Sequence, residues 1–153
     1  MYSNFLAIGK NKEREFAESL AKIGLNDFQH STETQDIKEH WDIELKVKFD
    51  VKSLKKVRRH DDQVNEHFHY LEVKNVQGLL GWLYSETVNF FAFELQKYWI
   101  IVSKEDLQSF VKNNVEKIYT PTPELYKLYT RKDRKDVITL VTSYDLCYIA
   151  AQI

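Results

Sequence analysis

The sequence predicts an α/β domain with a mixed β-sheet, and three observations predict it. Apolar residues recur at helical spacing near the N-terminus. Two consecutive stretches between 41 and 53 alternate apolar and polar residues. Two runs rich in aromatic and β-branched residues, NFFAFEL and YWIIV, are separated only by Gln96-Lys97 and predict a hairpin.

The first helix is expected over 12–23. Phe16, Leu20 and Ile23 recur at i, i+4 and i+7, with Ala17 and Ala21 beside them. Asn11 is placed to cap its start and Gly24 to end it. Glu13 falls within the arc of Phe16, Ala17 and Leu20. It is either an acid on the buried edge that needs a partner or a first-turn acid favoured by the helix dipole.

Trp41, Ile43, Leu45 and Val47 form one face of a predicted strand, with Asp42, Glu44 and Lys46 on the other. The alternation continues with Val47, Phe49 and Val51 against Lys48, Asp50 and Lys52. Pairing these strands antiparallel, apolar faces together, sets Asp42 opposite Asp50 in one register and opposite Lys52 in the other. Both registers gather carboxylates and a lysine on one polar face.

A polar loop is expected at 60–67 and a third strand at 68–76. Gly78 and Gly81 bracket a turn. Ser103 to Asp106 opens a helix in capping-box style, carrying Leu107, Phe110 and Val111. Thr122-Pro123 predicts another short helix, 136–141 a last strand and 144–151 a last helix.

Composition bounds the function. With 43% hydrophobic residues, the 153-residue chain can bury a core, so a single folded domain over 1–153 is expected and disorder is excluded. No apolar run approaches the ~18 residues of a membrane span. The N-terminal apolar run is too short for a secretion signal, and one cysteine, Cys147, read as a buried thiol, fits a reducing cytoplasm. Lys and Arg number 22 against 23 Asp and Glu, so any surface for nucleic acid has to be local. Residues 46–59, KVKFDVKSLKKVRR, carry seven basic residues and one acid. They are either a solvated strand end or a phosphate-binding patch.

Clustered carboxylates bind a hard divalent cation through oxygen, and a lysine two residues beyond one of them on a strand points the same way. Such a lysine holds an attacking water or stabilises charge on a phosphate. Asp42 followed by Asp50-Val51-Lys52, after a helix bearing Glu13, resembles the PD-(D/E)xK nuclease superfamily. GKNKEREFAESLAKIG is similar to the opening helix of archaeal Holliday-junction resolvases. HWDIEL matches the aspartate strand, without the proline that usually precedes it, and KFDVKSLKK matches the (D/E)xK strand, with Asp in place of the commoner Glu. YLEVKNVQGLLGWLYSETVNFFAFEL resembles a "GWLYG…AFE" pattern of small phage and bacterial members, with Ser85 replacing the last glycine.

The resemblance covers about residues 10–112 and leaves 113–153 as an extension. It implies a restriction-endonuclease-like core, a central mixed sheet flanked by helices. It implies a metal-dependent endonuclease hydrolysing DNA phosphodiester bonds, at branched or junction structures among others, in the cytoplasm or, if phage-encoded, in that of the host. Glu13, Asp42, Asp50 and the Val51 carbonyl would hold Mg²⁺ or Mn²⁺, and Lys52 would complete the catalytic set. Lys55, Lys56, Arg58 and Arg59 would track the DNA backbone. Junction enzymes of this kind act as homodimers, and no membrane is involved.

Glu72-Val73-Lys74 offers a second (D/E)xK pair. It is less favoured because Glu72 shares its face with Phe68 and Tyr70, although Glu72 remains a candidate extra group at the site. Arg131 and Arg134 either bind phosphate or pair with Asp133 and Asp136. His60, His67 and His69 fit no zinc spacing. A nucleic-acid-binding protein of the same fold without catalysis, and a structural or regulatory phage protein, are the alternatives.

Overall fold

A computed structural model describes residues 2–39, 42–58 and 60–151, with side chains from Lys10 onward. Trp41 and Arg59 therefore lie outside the described residues. The chain divides into two compact units, one reaching Val47 and one running from Lys48 to Ala151. The described residues are mixed α and β, with four α-helices and strands in three small sheets. No helix among them is long and apolar enough to cross a membrane.

The first unit begins with helix α1, Tyr2–Lys22. It starts well before the expected residue 12, so Asn11 lies inside it and accepts a hydrogen bond from Arg14 instead of capping. Its end is where the sequence places it. Gly24 has φ +84°, its N–H reaches Ala21 O at 3.0 Å, and the Leu25 N–H reaches Leu20 O at 3.0 Å. This double closure needs a left-handed residue, and glycine supplies one without a Cβ clash. Ala17, Leu20 and Leu25 are buried, but Phe16 is exposed.

Strand β1, Phe28–His30, pairs antiparallel with β2, Ile43–Leu45. Between them lies helix α2, Glu33–Glu39, which the apolar periodicity did not signal because none of its residues is buried. Its signal is instead a capping box. The Gln35 N–H donates to Thr32 Oγ1 at 3.3 Å, and the Thr32 N–H donates to Gln35 Oε1 at 3.0 Å.

The predicted hairpin between 41–47 and 47–53 does not form, because β2 pairs with β1. Strand β3, Phe49–Lys52, pairs parallel with β5, Phe90–Glu94. β5 in turn pairs antiparallel with β6, Trp99–Ser103, as predicted. Sheet β3-β5-β6 is therefore the mixed one.

A third sheet, in the order β4-β8-β7, consists of β4, Phe68–Lys74, β8, Val137–Thr142, and β7, Leu128–Tyr129, all antiparallel. Within the second unit, sheets β3-β5-β6 and β4-β8-β7 contribute a core of Leu71, Leu83, Phe91, Phe93, Val102 and Val141, closed by Leu107 and Val111 of helix α3, Lys104–Asn114, and Leu146 of helix α4, Ser143–Tyr148. The cap of α3 is the expected one, with the Asp106 N–H donating to Ser103 Oγ at 3.1 Å.

No helix starts at Thr122-Pro123. That segment crosses instead by isolated bridges, Tyr119 to Leu128 and Leu125 to Leu140, with Tyr126 at φ +59°. Cys147 is exposed rather than buried.

Candidate functional site

Which face of β3 turns inward decides the site. Asp50 is in register with Phe91 and Lys52 with Phe93, and both phenylalanines are fully buried. The polar face thus takes the core side, whereas Phe49 and Val51 turn outward, 47% and 59% exposed. This reverses the expected burial of the apolar face. Asp50 and Lys52 tolerate the inward position because they neutralise each other. Lys52 Nζ lies 2.7 Å from Asp50 Oδ2 and 3.9 Å from the centroid of the Trp82 ring. β3 is the edge strand of its sheet, where inward charges also discourage pairing with a foreign strand.

Backbone clamps fix β3 at both ends. Asn89 Oδ1 accepts from the Lys48 N–H at 2.9 Å, and Glu94 Oε2 accepts from the Leu54 N–H at 2.9 Å. The Trp82 ring is set by the 3-10 turn Trp82–Tyr84, by packing on Phe91 at 5.0 Å between ring centroids, and by Gln108 donating to Leu83 O at 2.9 Å. Gly81, which precedes it, presses against β4. A Cβ there would sit 2.2 Å from the Glu72 carbonyl oxygen. The Glu72 carboxylate accepts from the Trp82 N–H at 3.3 Å, tying β4 to the turn.

Lys52, Glu72 and Trp82 open onto a cleft of about 860 Å³. One face of sheet β4-β8-β7 contributes Phe68, Tyr70, Glu72, Ile138 and Tyr129. The segment after β3 contributes Lys55, Lys56, Arg58 and His60, and Arg131 adds a further cation. Five Lys and Arg side chains line it beside one carboxylate, and although Lys52 is paired with Asp50 and Arg131 with Asp136, Lys55, Lys56 and Arg58 leave the cleft locally positive.

The Tyr70 hydroxyl donates to Val57 O, which holds the basic segment against the sheet. Burial pushes the Tyr70 phenol up, reinforced by Tyr129 and Asp61 and opposed by Arg58 and Arg131. His69 also lines the cleft but is only 5% exposed. Burial lowers its pKa to about 4, so its imidazole is neutral at pH 7.

Of the residues singled out in the sequence, Asp50 and Lys52 come together, and Lys52, Lys55, Lys56 and Arg58 line one cleft. Glu13, half-buried on α1, and Asp42, exposed just before β2, belong to the first unit. The registers that set Asp42 opposite Asp50 or Lys52 do not form, because neither strand pairs with the other. Glu72 reaches the cleft although Lys74 is not among its lining residues.

Arg131 does pair with Asp136, donating from Nε to Oδ2 at 2.6 Å, and it also lines the cleft. Tyr70, Trp82 and Tyr129 were not legible as cleft residues. Tyr70 showed only the alternation of a predicted strand, Trp82 only its place in the GWLY stretch, and Tyr129 no strand signal at all, and none of these says which rings share a cleft. Among the described residues, no group of three or more His, Cys, Asp or Glu is placed to hold a metal ion.

Comparisons with protein-family models, curated proteins and solved structures found no match, so the reading of the site rests on its residues.

Proposed function

We propose that the protein is a metal-dependent nuclease that hydrolyses phosphodiester bonds of DNA. The observation that carries the reading is the Asp50–Lys52 pair, 2.7 Å apart, with Lys52 lining a cleft of Lys55, Lys56, Arg58 and Arg131. The basic residues would hold the phosphates in the ground state, each contact weakening with salt.

Hydrolysis adds a water oxygen to phosphorus, breaks one P–O ester bond and leaves a phosphate monoester and a hydroxyl. Negative charge grows on the phosphoryl oxygens as this happens. Lys52, half-buried and fixed over Trp82, is the cation preorganised to meet it. The Asp50 carboxylate is an oxygen donor of the kind that suits Mg²⁺ or Mn²⁺, ions that keep several waters and use few protein ligands. When bound, such an ion would supply an activated water and neutralise phosphate charge. Glu13, Asp42 and the Val51 carbonyl join this set through the superfamily resemblance alone, as do the restriction-endonuclease-like core and a homodimer.

A second reading, nucleic-acid binding without hydrolysis, is favoured by the same ion pair. Lys52 already satisfies the Asp50 charge without a metal. Cleavage of plasmid and branched DNA with Mg²⁺ or Mn²⁺, run beside Asp50→Ala, separates the two. Divalent-dependent cleavage that the variant loses supports the nuclease, and metal-independent binding with no cleavage supports the alternative.

A further inference from the structure

The cleft has two features that a duplex-tracking surface does not need. One is an aromatic lining. Phe68, Tyr70 and Tyr129 line the same cleft as the basic side chains. Phe68 and Tyr70 alternate on β4, and Tyr129 lies in the row Glu72–Ile138–Tyr129, so sheet pairing puts these rings on one surface. The other is Arg131. Its guanidinium is gripped by a fully buried carboxylate, Asp136, at 2.6 Å from Nε and 2.5 Å from the terminal nitrogen. A fully buried carboxylate bonded to two nitrogens of a partly exposed arginine fixes that arginine in place before any ligand arrives. Arg58 and Arg131 line the same cleft as Tyr70.

We infer that the cleft takes an unpaired strand of nucleic acid, with Arg131 and Arg58 as phosphate contacts and Tyr129 as a stacking surface. This rests on the nucleic-acid reading above and narrows its substrate class. Rings beside cations are the chemistry of single-strand binding, because every base has a face to stack and every nucleotide a phosphate to neutralise. A volume of about 860 Å³ encloses a short stretch of one strand, but its aromatic surface is closed to bases already paired and stacked within a helix. A strand threading past Arg131 would bring its phosphates to the side of the cleft where Lys52 lies, which suits a flap or the unpaired arm of a branched molecule.

The test is fluorescence anisotropy of the full chain without metal, using a labelled 12-nucleotide single strand and the same sequence as a blunt duplex. The wild type is expected to bind the single strand at least tenfold more tightly. Tyr129→Leu, which keeps an apolar strand residue, is expected to weaken single-strand binding about tenfold while leaving duplex binding unchanged. Arg131→Gln combined with Asp136→Asn removes both charges together, so no carboxylate is left buried alone. It is expected to lower the single-strand salt slope by about 0.7. Equal or tighter duplex binding, or a Tyr129→Leu variant that binds the single strand like the wild type, overturns the unpaired-strand inference and leaves the nuclease reading standing. Failure to bind either form overturns both.

Discussion

Lys52 Nζ sits 2.7 Å from the Asp50 carboxylate and 3.9 Å from the centre of the Trp82 ring, so one ammonium joins an ion pair to a cation–π contact on the inward face of an edge strand. A lysine placed only to neutralise DNA would extend into solvent, as Lys55 and Lys56 do. Lys52→Ala is therefore expected to slow cleavage of bound DNA by about 100-fold or more while changing DNA affinity little. Arg58→Ala is expected to do the reverse, weakening affinity with a smaller salt slope and leaving the rate on bound DNA intact. Single-turnover rates and binding isotherms at two salt concentrations check the division.

Gly81 is required by space rather than by backbone angle, since its φ is −75°. Gly81→Ala would drive a methyl group to within 2.2 Å of the Glu72 carbonyl, and backbone on both sides must move. A loss of about 2–3 kcal/mol is expected, read from urea denaturation. Because the same shift displaces Trp82, the variant should also lose activity beyond its loss of folded protein.

The Arg131–Asp136 pair predicts an asymmetry. Asp136 is fully buried, and one of its oxygens, Oδ1, has no hydrogen-bond partner among the described residues, whereas Arg131 is partly exposed. Removing Asp136 leaves an arginine that water can solvate. Removing Arg131 leaves a carboxylate that it cannot. Arg131→Ala is expected to cost roughly 3 kcal/mol and Asp136→Ala about 1 kcal/mol. Equal losses in matched denaturation curves would mean the pair is not a buried anchor.

His69 gives a pH signature. Its pKa falls from 6.5 to about 4 on folding because burial disfavours the imidazolium. Between those values the unfolded chain binds the proton and the folded chain does not, so stability rises with pH across that window. His69 costs nothing above pH 6.5, where it is neutral in both states, and the penalty for protonating it grows as pH falls to about 4 and below, to roughly 3 kcal/mol for the full shift. His69→Phe, which suits a ring already packed edge-on against Phe93 at 5.1 Å, should flatten that part of the stability profile. A wild-type minus variant difference that does not change between pH 7 and pH 4.5 would show that His69 is not buried neutral.

The parts of the fold legible in the sequence are those set by neighbours in the chain. The β5-β6 hairpin, the Ser103 cap and the Gly24 stop each follow from a few adjacent residues, and each is present. Pairing across distance was not legible. β3 alternates as a half-buried strand should, but its partner lies some 40 residues on, at Phe90 to Phe93, and alternation carries no information about partner identity. Nor does it say which face turns inward. Asp50 and Lys52 take the core side because they cancel each other and because Trp82 covers the lysine, a contact between distant residues. The basic run 46–59 was legible as charge, whereas its aromatic complement was not, since the β4-β8-β7 sheet brings Tyr70 and Tyr129 together and the Tyr70 hydroxyl meets the basic run only at Val57 O, a contact between distant residues.

The most direct test of the central claim is cleavage of a branched DNA carrying an unpaired arm, measured with Mg²⁺, with Mn²⁺ and with chelator, for the wild type and Asp50→Ala. The account predicts cleavage by the wild type only when a divalent ion is present, and a loss of about 100-fold or more in the variant, which stays folded and still binds the DNA. Absence of cleavage by the wild type with either ion, or an Asp50→Ala variant that cleaves at the wild-type rate, would contradict it.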